Sequence, residues 1–228
     1  SPRKSGFVVD AFVTSLVIAL TVAILSTLMG TAAALALQRL KGTLRILFDG
    51  MIYISIMIPG IVIGIATLVA LVTVFNFLNP ILASVWPEGV KPLKLNMGYA
   101  TVIAAHTLFT MSLVIILVRA RIVGMDRTLI EASTDLYATP WRTFYQITLP
   151  QIFPAILSGF LLSFTFSFDD FIISFFVAGA NTTLPVYIFS SIRRGITPEV
   201  NAIGTMVLAV SLILLMTAQY LLHARTNR

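Results

Sequence analysis

Two adjacent carboxylates, Asp169 and Asp170, lie inside the apolar stretch SFTFSFDDFIISFF at residues 163–176. An ionisable group within the hydrocarbon core of a membrane is expensive, and such groups commonly mark the path of a substrate or an ion. Carboxylates attract cations, and nearby aromatic rings can add cation–π contacts to an ammonium group. The stretch therefore predicts a path for a cationic solute.

The residues around the aspartates refine this prediction. Small residues at Gly159, Ser163, Ser167 and Ser174 recur at spacings typical of one helix face, and Asp170 follows Ser167 by three positions. That face would meet a cavity or a partner helix. The residues predicted to line the substrate path are Asp169, Asp170, Ser167, Phe168 and Ser174. The alternative is that one or both carboxylates bond to a neighbouring helix or to Arg193 or Arg194.

The composition shows which elements must position these residues. The 228-residue chain is 58% hydrophobic and only 11% charged, whereas a globular domain is roughly a quarter charged. A helix needs about 20 apolar residues to span the hydrocarbon core. The uncharged runs predict an all-α integral membrane protein with five transmembrane helices, near 11–37, 50–76, 98–118, 153–178 and 200–222.

Other sites are not indicated. The chain has no cysteine and only two histidines, His106 and His223, far apart in sequence, so no metal site is predicted. His106 is expected to hydrogen-bond a neighbouring helix rather than to relay protons. In the second span, Gly60 and Gly64 have the GxxxG spacing that allows close helix packing.

The net charge of +6 does not indicate nucleic-acid binding, because the basic residues are spread over alternate loops. Nine lie in the loops on one side and six in those on the other, which places the nine in the cytoplasm. Five spans then leave the N-terminus outside, which leads us to expect a further helix before residue 1. The nine are Arg39, Lys41, Arg45, Arg119, Arg121, Arg127, Arg142, Arg225 and Arg228.

The cytoplasmic segment 119–150 carries two helix-start signals. Thr128 and Glu131 fit a capping box, and Thr139-Pro140 places a proline at a first helical position. These signals predict short helices at 129–136 and 140–147, joined by a turn at Tyr137–Ala138. The apolar residues of the pair exceed what a solvated linker carries, so this surface should meet the bilayer or another protein.

The same segment resembles the EAA loop of ABC importer permeases. Glu131-Ala132-Ser133, Tyr137 at the usual glycine position and Ile147-Thr148-Leu149-Pro150 match the spacing of that motif, with a serine and a tyrosine as departures. The stretches IPGIVIGIA, GYATVIAAHTLF and LSFTFSFDDFIISFFVAGANTTLPVYIFSSIRRGITPEVNAIGT are similar to the C-type permeases of spermidine/putrescine importers. The resemblance covers about residues 11–222.

The resemblance implies a type I ABC importer permease fold with six helices in the full protein, and one transmembrane permease domain over residues 1–228. It implies that the loop 119–150 couples the permease to the ATPase. The residues implied in this coupling are Glu131, Ala132, Ser133, Asp135, Tyr137, Ala138, Ile147, Leu149 and Pro150. It also implies a homologous permease, two ATP-binding cassette subunits and an extracytoplasmic solute-binding protein as partners, besides membrane lipid.

This chain lacks the GxxxxGK[ST] phosphate loop, so we expect ATP and Mg²⁺ on the partner ATPase and no cofactor or catalytic residue here. The predicted function is the membrane subunit of an ATP-driven importer of spermidine or putrescine. The alternatives are an importer of another small solute, such as iron, thiamine or an organophosphorus compound, and a proton-coupled secondary carrier.

Overall fold

The regular secondary structure of the described residues is helical, and four of its helical stretches are long and apolar enough to cross a membrane. The computed structural model describes residues 2–87, 90–126 and 128–194, and the scattered residues 201–202, 204–206, 208–210, 212–213 and 216–217. Its helices are α1 (Pro2–Leu37), α2 (Gly42–Met57), α3 (Gly60–Ser84), α4 (Tyr99–Val123), α5 (Thr128–Asp135), α6 (Pro140–Thr143), α7 (Leu149–Asp169), α8 (Ile172–Val177) and α9 (Leu184–Arg194). The predicted spans at 11–37 and 98–118 are confirmed as α1 and α4, whereas the span at 200–222 lies largely outside the described residues.

The predicted single helix at 50–76 is wrong. The chain forms α2 and α3 instead, and Ile58 between them takes an extended conformation with φ −69° and ψ 131°. Pro59 explains the interruption, because it lacks a backbone donor and disfavours a helical conformation in the residue before it. Pro59 thus separates two helices within the run that apolar length alone predicts as one.

The predicted helix at 153–178 is also interrupted. Helix α7 ends at Asp169, Asp170 is extended with φ −69° and ψ 115°, and α8 begins two residues later. The two interruptions lie side by side, since a Cβ built on Gly60 at the start of α3 would be 3.7 Å from Cδ1 of Ile172 at the start of α8. Ser167 on α7 therefore lies on the predicted helix face, whereas that face does not extend continuously to Ser174 on α8.

Helices α1, α4 and α7 form the central bundle. Val114 of α4 fits between two glycines: a Cβ on Gly30 of α1 would lie 2.8 Å from Val114 Cβ, and a Cβ on Gly159 of α7 would lie 3.3 Å from both Val114 methyl carbons. Small residues let helix backbones approach closely in lipid, where helix association depends on packing. The small-residue face predicted on α7 is thus turned toward partner helices.

The loop 119–150 folds largely as expected. Helix α5 at Thr128–Asp135 confirms the first short helix. The second begins at Pro140 as predicted, with the Thr139 hydroxyl accepting a hydrogen bond from the backbone N–H of Arg142. It is not a separate helix, however, because a π-helical turn at Phe144–Thr148 carries α6 directly into α7.

Candidate functional site

The two aspartates lie in different surroundings. Asp170 is half-buried, and its Oδ2 lies 3.2 Å from Nε2 of His106, which is only 2% exposed. The same oxygen accepts a hydrogen bond of 3.0 Å from the backbone N–H of Ser174. Asp170 is therefore occupied by contacts within the protein, as the alternative interpretation of the sequence anticipated, although the partner is His106.

Ser167 and Ser174, two of the predicted path residues, contact the same imidazole as Asp170. His106 Nδ1 lies 2.8 Å from the Ser167 hydroxyl, and His106 Nε2 lies 3.3 Å from the Ser174 hydroxyl. Both serines are buried. The expectation that His106 hydrogen-bonds a neighbouring helix is confirmed, and these contacts form a buried polar cluster of His106, Ser167, Asp170 and Ser174.

Asp169 is exposed and lies at an open groove of about 300 Å³. Among the residues that the structure describes, no hydrogen bond or ion-pair partner is found for its carboxylate. Phe171 and Phe189 line the groove with their ring centroids 4.5 Å apart. The remaining lining residues are mostly apolar: Phe168, Leu184, Pro185, Ile188 and Ile192.

Phe168 belongs mainly to the core. It is buried, stacks on Phe164 at a centroid distance of 5.8 Å and meets the edge of Phe12 at 5.9 Å. Arg193 places its guanidinium 6.0 Å from the centroid of the Phe189 ring, and the side chain of Arg194 lies outside the described residues. The predicted path residues thus separate into the buried cluster, a core ring and the exposed carboxylate of Asp169.

The predicted coupling segment turns at a residue with unusual backbone geometry. Tyr137 has φ +57°, a left-handed conformation that glycine commonly supplies after a helix C-terminus. Its side chain is 96% exposed. The substitution of tyrosine at the glycine position therefore leaves the turn in place and projects the ring into solvent.

The predicted capping box at the start of α5 is wrong. Thr128 is the first helical residue, and its backbone N–H and hydroxyl both donate to Asp126 Oδ1, at 2.9 and 2.7 Å. These hydrogen bonds lower the pKa of the Asp126 carboxyl, since they stabilise its ionised form. Glu131 is left exposed on the first turn of the helix.

The second departure from the EAA motif has a clear structural role. The Ser133 hydroxyl lies 2.7 Å from the Thr143 hydroxyl, which joins α5 to α6. Ser133 is buried, whereas Ala132, Asp135, Leu136 and Trp141 are exposed along this surface. Ala138, Ile147 and Leu149 are half-buried and Pro150 is exposed.

Two polar contacts connect the segment's ends to the helices. Arg119 near the end of α4 forms an ion pair with Asp49 of α2, and Arg45 Nε lies 3.8 Å from the same carboxylate. Arg121 Nε donates to the backbone carbonyl of Gln151 in α7 at 2.8 Å. Neither Asp49 nor Gln151 is predictable from the sequence, because no local motif links residues that are 70 and 30 positions from their partners.

A family comparison decides the broad assignment. Residues 26–228 match the family described as binding-protein-dependent transport system inner membrane component. The chain belongs to this family. It is thus an inner-membrane permease subunit of an ABC importer, which confirms the family that the EAA motif indicates.

Individual relatives extend the match along the permease. This chain is 37% identical over 212 residues to the putrescine transport system permease protein PotI of Escherichia coli (strain K12), and the match covers 91% of this chain and 70% of the relative. It is 33% identical to the spermidine/putrescine transport system permease protein PotC of Haemophilus influenzae, covering 92% of this chain and 75% of the relative.

Solved structures agree on the fold. A chain of the MetNI methionine ABC transporter superposes with a TM-score of 0.74 at 15% identity, over 98% of both chains. A chain of a bacterial ABC transporter for the acidic polysaccharide alginate gives a TM-score of 0.68 at 19% identity, over 93% of this permease and 79% of that chain. The type I importer permease fold is therefore confirmed.

Proposed function

We propose that this permease carries polyamines, with putrescine or spermidine as the solute. The observation that carries the proposal is the exposed carboxylate of Asp169 at a groove lined by phenylalanine rings. The 37% identity to PotI, whose name gives putrescine as its solute, supports the same assignment.

The chemistry of the groove suits an alkyl diammonium ion. An ammonium group gains from a carboxylate and from the faces of aromatic rings, while the methylene chain between two ammonium groups favours apolar walls. Asp169 supplies the charge, Phe171 and Phe189 supply the rings, and Ile188 and Ile192 supply apolar surface. Phosphorylated or carboxylated solutes would meet repulsion from Asp169.

The partners follow from the same proposal. A homologous permease would complete the path, an extracytoplasmic binding protein would deliver the solute, and two ATP-binding cassette subunits would hold ATP and Mg²⁺ and power the cycle. The surface formed by Glu131, Leu136, Tyr137 and Trp141 is the proposed contact with an ATPase subunit. Leu136 is 81% and Trp141 71% exposed, which is unusual for such large side chains at the end of a helical bundle.

The solute proposal is tested by uptake of radiolabelled putrescine and spermidine in cells that express the whole transporter. Asp169→Asn removes a charge with little change in shape, and we expect uptake to fall about tenfold or more, because a contact to a charged group contributes about 1.5–3 kcal/mol. The level of assembled transporter should stay unchanged, since Asp169 has no described partner to leave unpaired.

Asp170→Asn is the matched control, because it makes the same chemical change one residue away. It weakens the bonds to His106 and Ser174 and should therefore lower the level of assembled transporter as well as uptake. Wild-type uptake of both polyamines by Asp169→Asn would refute the role of the groove. Absence of polyamine uptake by the unmodified transporter would refute the solute class.

The role of Glu131 is tested separately. Glu131→Gln keeps the size of the side chain and Glu131→Ala does not. Loss of uptake in both variants, with assembly intact, supports a charge contact with the ATPase. Normal uptake in both removes Glu131 from the coupling mechanism.

A further inference from the structure

His106 is a buried titratable residue that the proposed transport path does not use. It lies in the first half of α4, is 2% exposed and uses both ring nitrogens: Nδ1 toward Ser167 of α7, and Nε2 toward Asp170 and Ser174. An ionised carboxylate only accepts hydrogen bonds, so Nε2 carries a proton whenever Asp170 is ionised. The Ser167 hydroxyl can then donate to the unprotonated Nδ1 of a neutral ring.

The imidazole meets the chain where α7 is interrupted. Non-helical backbone at membrane depth is tolerated where protein buries it or where it lines a water-filled cavity. The Asp170 carboxylate stabilises this backbone by accepting a hydrogen bond from the N–H of Ser174. Because the carboxylate is half-buried, it needs a second donor. His106 is that donor, and it comes from another helix.

Helix α4 holds the short helix α8 at both ends. His106 contacts Asp170 and Ser174 near its beginning, and the Thr101 hydroxyl lies 2.6 Å from the carbonyl oxygen of Val177 at its end. Between these contacts, Ile173 and Val177 pack against Val102 and Ala105 of α4. From His106 to its end at Val123, α4 runs about 25 Å toward the coupling segment.

We propose that His106 is a positioning residue that holds Asp170 inside the interruption and so fixes α8 against α4. Its effect is to keep Asp170 turned into the protein, which leaves Asp169 as the carboxylate at the groove. The donor on Nε2 is the essential feature. This role does not depend on which solute the transporter carries.

The chain contains no cysteine, so an introduced thiol is the only one in this permease subunit, whose labelling is read on its own band. Ile173→Cys places a buried thiol on α8, and Ala34→Cys places one in the separate core cluster of α1 with α4. Maleimides react with the thiolate, and labelling therefore reports access of water to each position. Both reporters are measured in membranes that contain the complete transporter.

Three substitutions at His106 distinguish the role of one ring nitrogen from that of the other. Glutamine places an amide donor near the position of Nε2, asparagine near that of Nδ1, and leucine keeps volume without either. We expect labelling of Ile173→Cys to rise about tenfold or more in His106→Leu and His106→Asn, because each loses the bond to Asp170. His106→Gln should stay within about threefold of the parent, since it retains that bond.

The second reporter separates a local effect from loss of the fold. Labelling of Ala34→Cys should not change in any of the three variants. Unchanged labelling at Ile173→Cys in His106→Leu would overturn the proposal, and so would a parallel rise at both reporters. Equal labelling in the glutamine and asparagine variants would show that the donor on Nε2 is not the essential feature, which also overturns it.

A second change at Asp170 checks the same contact from the other side. His106→Leu leaves a carboxylate without its donor, and Asp170→Asn removes that charge. The double variant should therefore label more slowly at Ile173→Cys than His106→Leu alone. Labelling as fast as in His106→Leu would contradict the assignment of Asp170 as the partner. None of these readouts requires polyamine uptake, so failure of the solute proposal would not be mistaken for failure of this one.

Discussion

Replacing Gly64 by alanine tests how tightly α8 is packed against α3. A Cβ on Gly64 would lie 2.7 Å from Cδ2 of Phe176, and 3.5 Å from the Ile172 carbonyl oxygen and the Ile173 Cα. The first distance requires the ring or a helix to move, whereas the others are ordinary contacts. Gly60 on the same helix is the matched control, because its nearest neighbour is 3.7 Å away.

The magnitude follows from two opposing contributions. Forcing an extra methyl group into a packed site costs about 1–3 kcal/mol, while alanine is favoured over glycine within a helix by about 1 kcal/mol. The single variant should thus lose only about 0–2 kcal/mol. A double-mutant cycle with Phe176→Ala isolates the steric cost, because the helix-propensity gain is present with and without the ring and cancels.

We expect a coupling free energy of about 1–3 kcal/mol between the two positions, with alanine at 64 tolerated better once the ring is gone. The free energy of unfolding is measured by titrating the purified transporter with a denaturing detergent. Gly60→Ala, combined with the same Phe176→Ala change, should show coupling near zero. A coupling below about 0.5 kcal/mol at Gly64 would refute the close approach of α3 and α8.

Three further predictions concern the coupling segment. Because Tyr137 has φ +57°, Tyr137→Gly should be more stable than Tyr137→Ala by about 1 kcal/mol in the same titration. Ser133→Ala removes the hydroxyl contact with Thr143 and should increase limited proteolysis of the segment severalfold, corresponding to a loss of about 1 kcal/mol. Asp126 has a lowered pKa in the folded protein, so its stabilising effect on α5 should be complete above the unfolded pKa of about 3.9 and lost as the pH falls through the folded value. Protection of the Thr128 amide against hydrogen exchange should show this loss in the unmodified protein and not in Asp126→Asn.

The spans were predictable where apolar length alone decides the structure. Helices α1 and α4 are long, continuous apolar runs, and their existence follows from the length needed to cross hydrocarbon. The start at Pro140 was equally predictable, since proline at a first helical position follows from its fixed φ and missing donor.

The interruptions differed in how far the sequence revealed them. Pro59 marks the first, but sequence alone does not distinguish a kink from the end of a helix. The second, at Asp170 and Phe171, contains neither proline nor glycine. It depends on the Asp170 carboxylate, which accepts a hydrogen bond from the backbone N–H of Ser174. The donor that holds Asp170 lies 64 residues away, so a local pattern could not reveal the pairing. The same limitation explains why His106 was not placed among the site residues.

The adjacent interruptions at Pro59 and Asp170 also have an electrical consequence. Each interruption leaves backbone carbonyls without a hydrogen bond from within a helix, and such groups in a membrane are hydrogen-bonded by other parts of the protein or by water. Because Gly60 and Ile172 are neighbours, the polarisable groups of both interruptions lie close together. Polarisable groups support a smaller electric field than hydrocarbon does, so along this permease the transmembrane voltage should fall mainly over the apolar segments on either side of the two interruptions. A dication, the class of solute proposed above, would then meet the total of about 4.6 kcal/mol per 100 mV mainly in two short steps rather than over the full thickness.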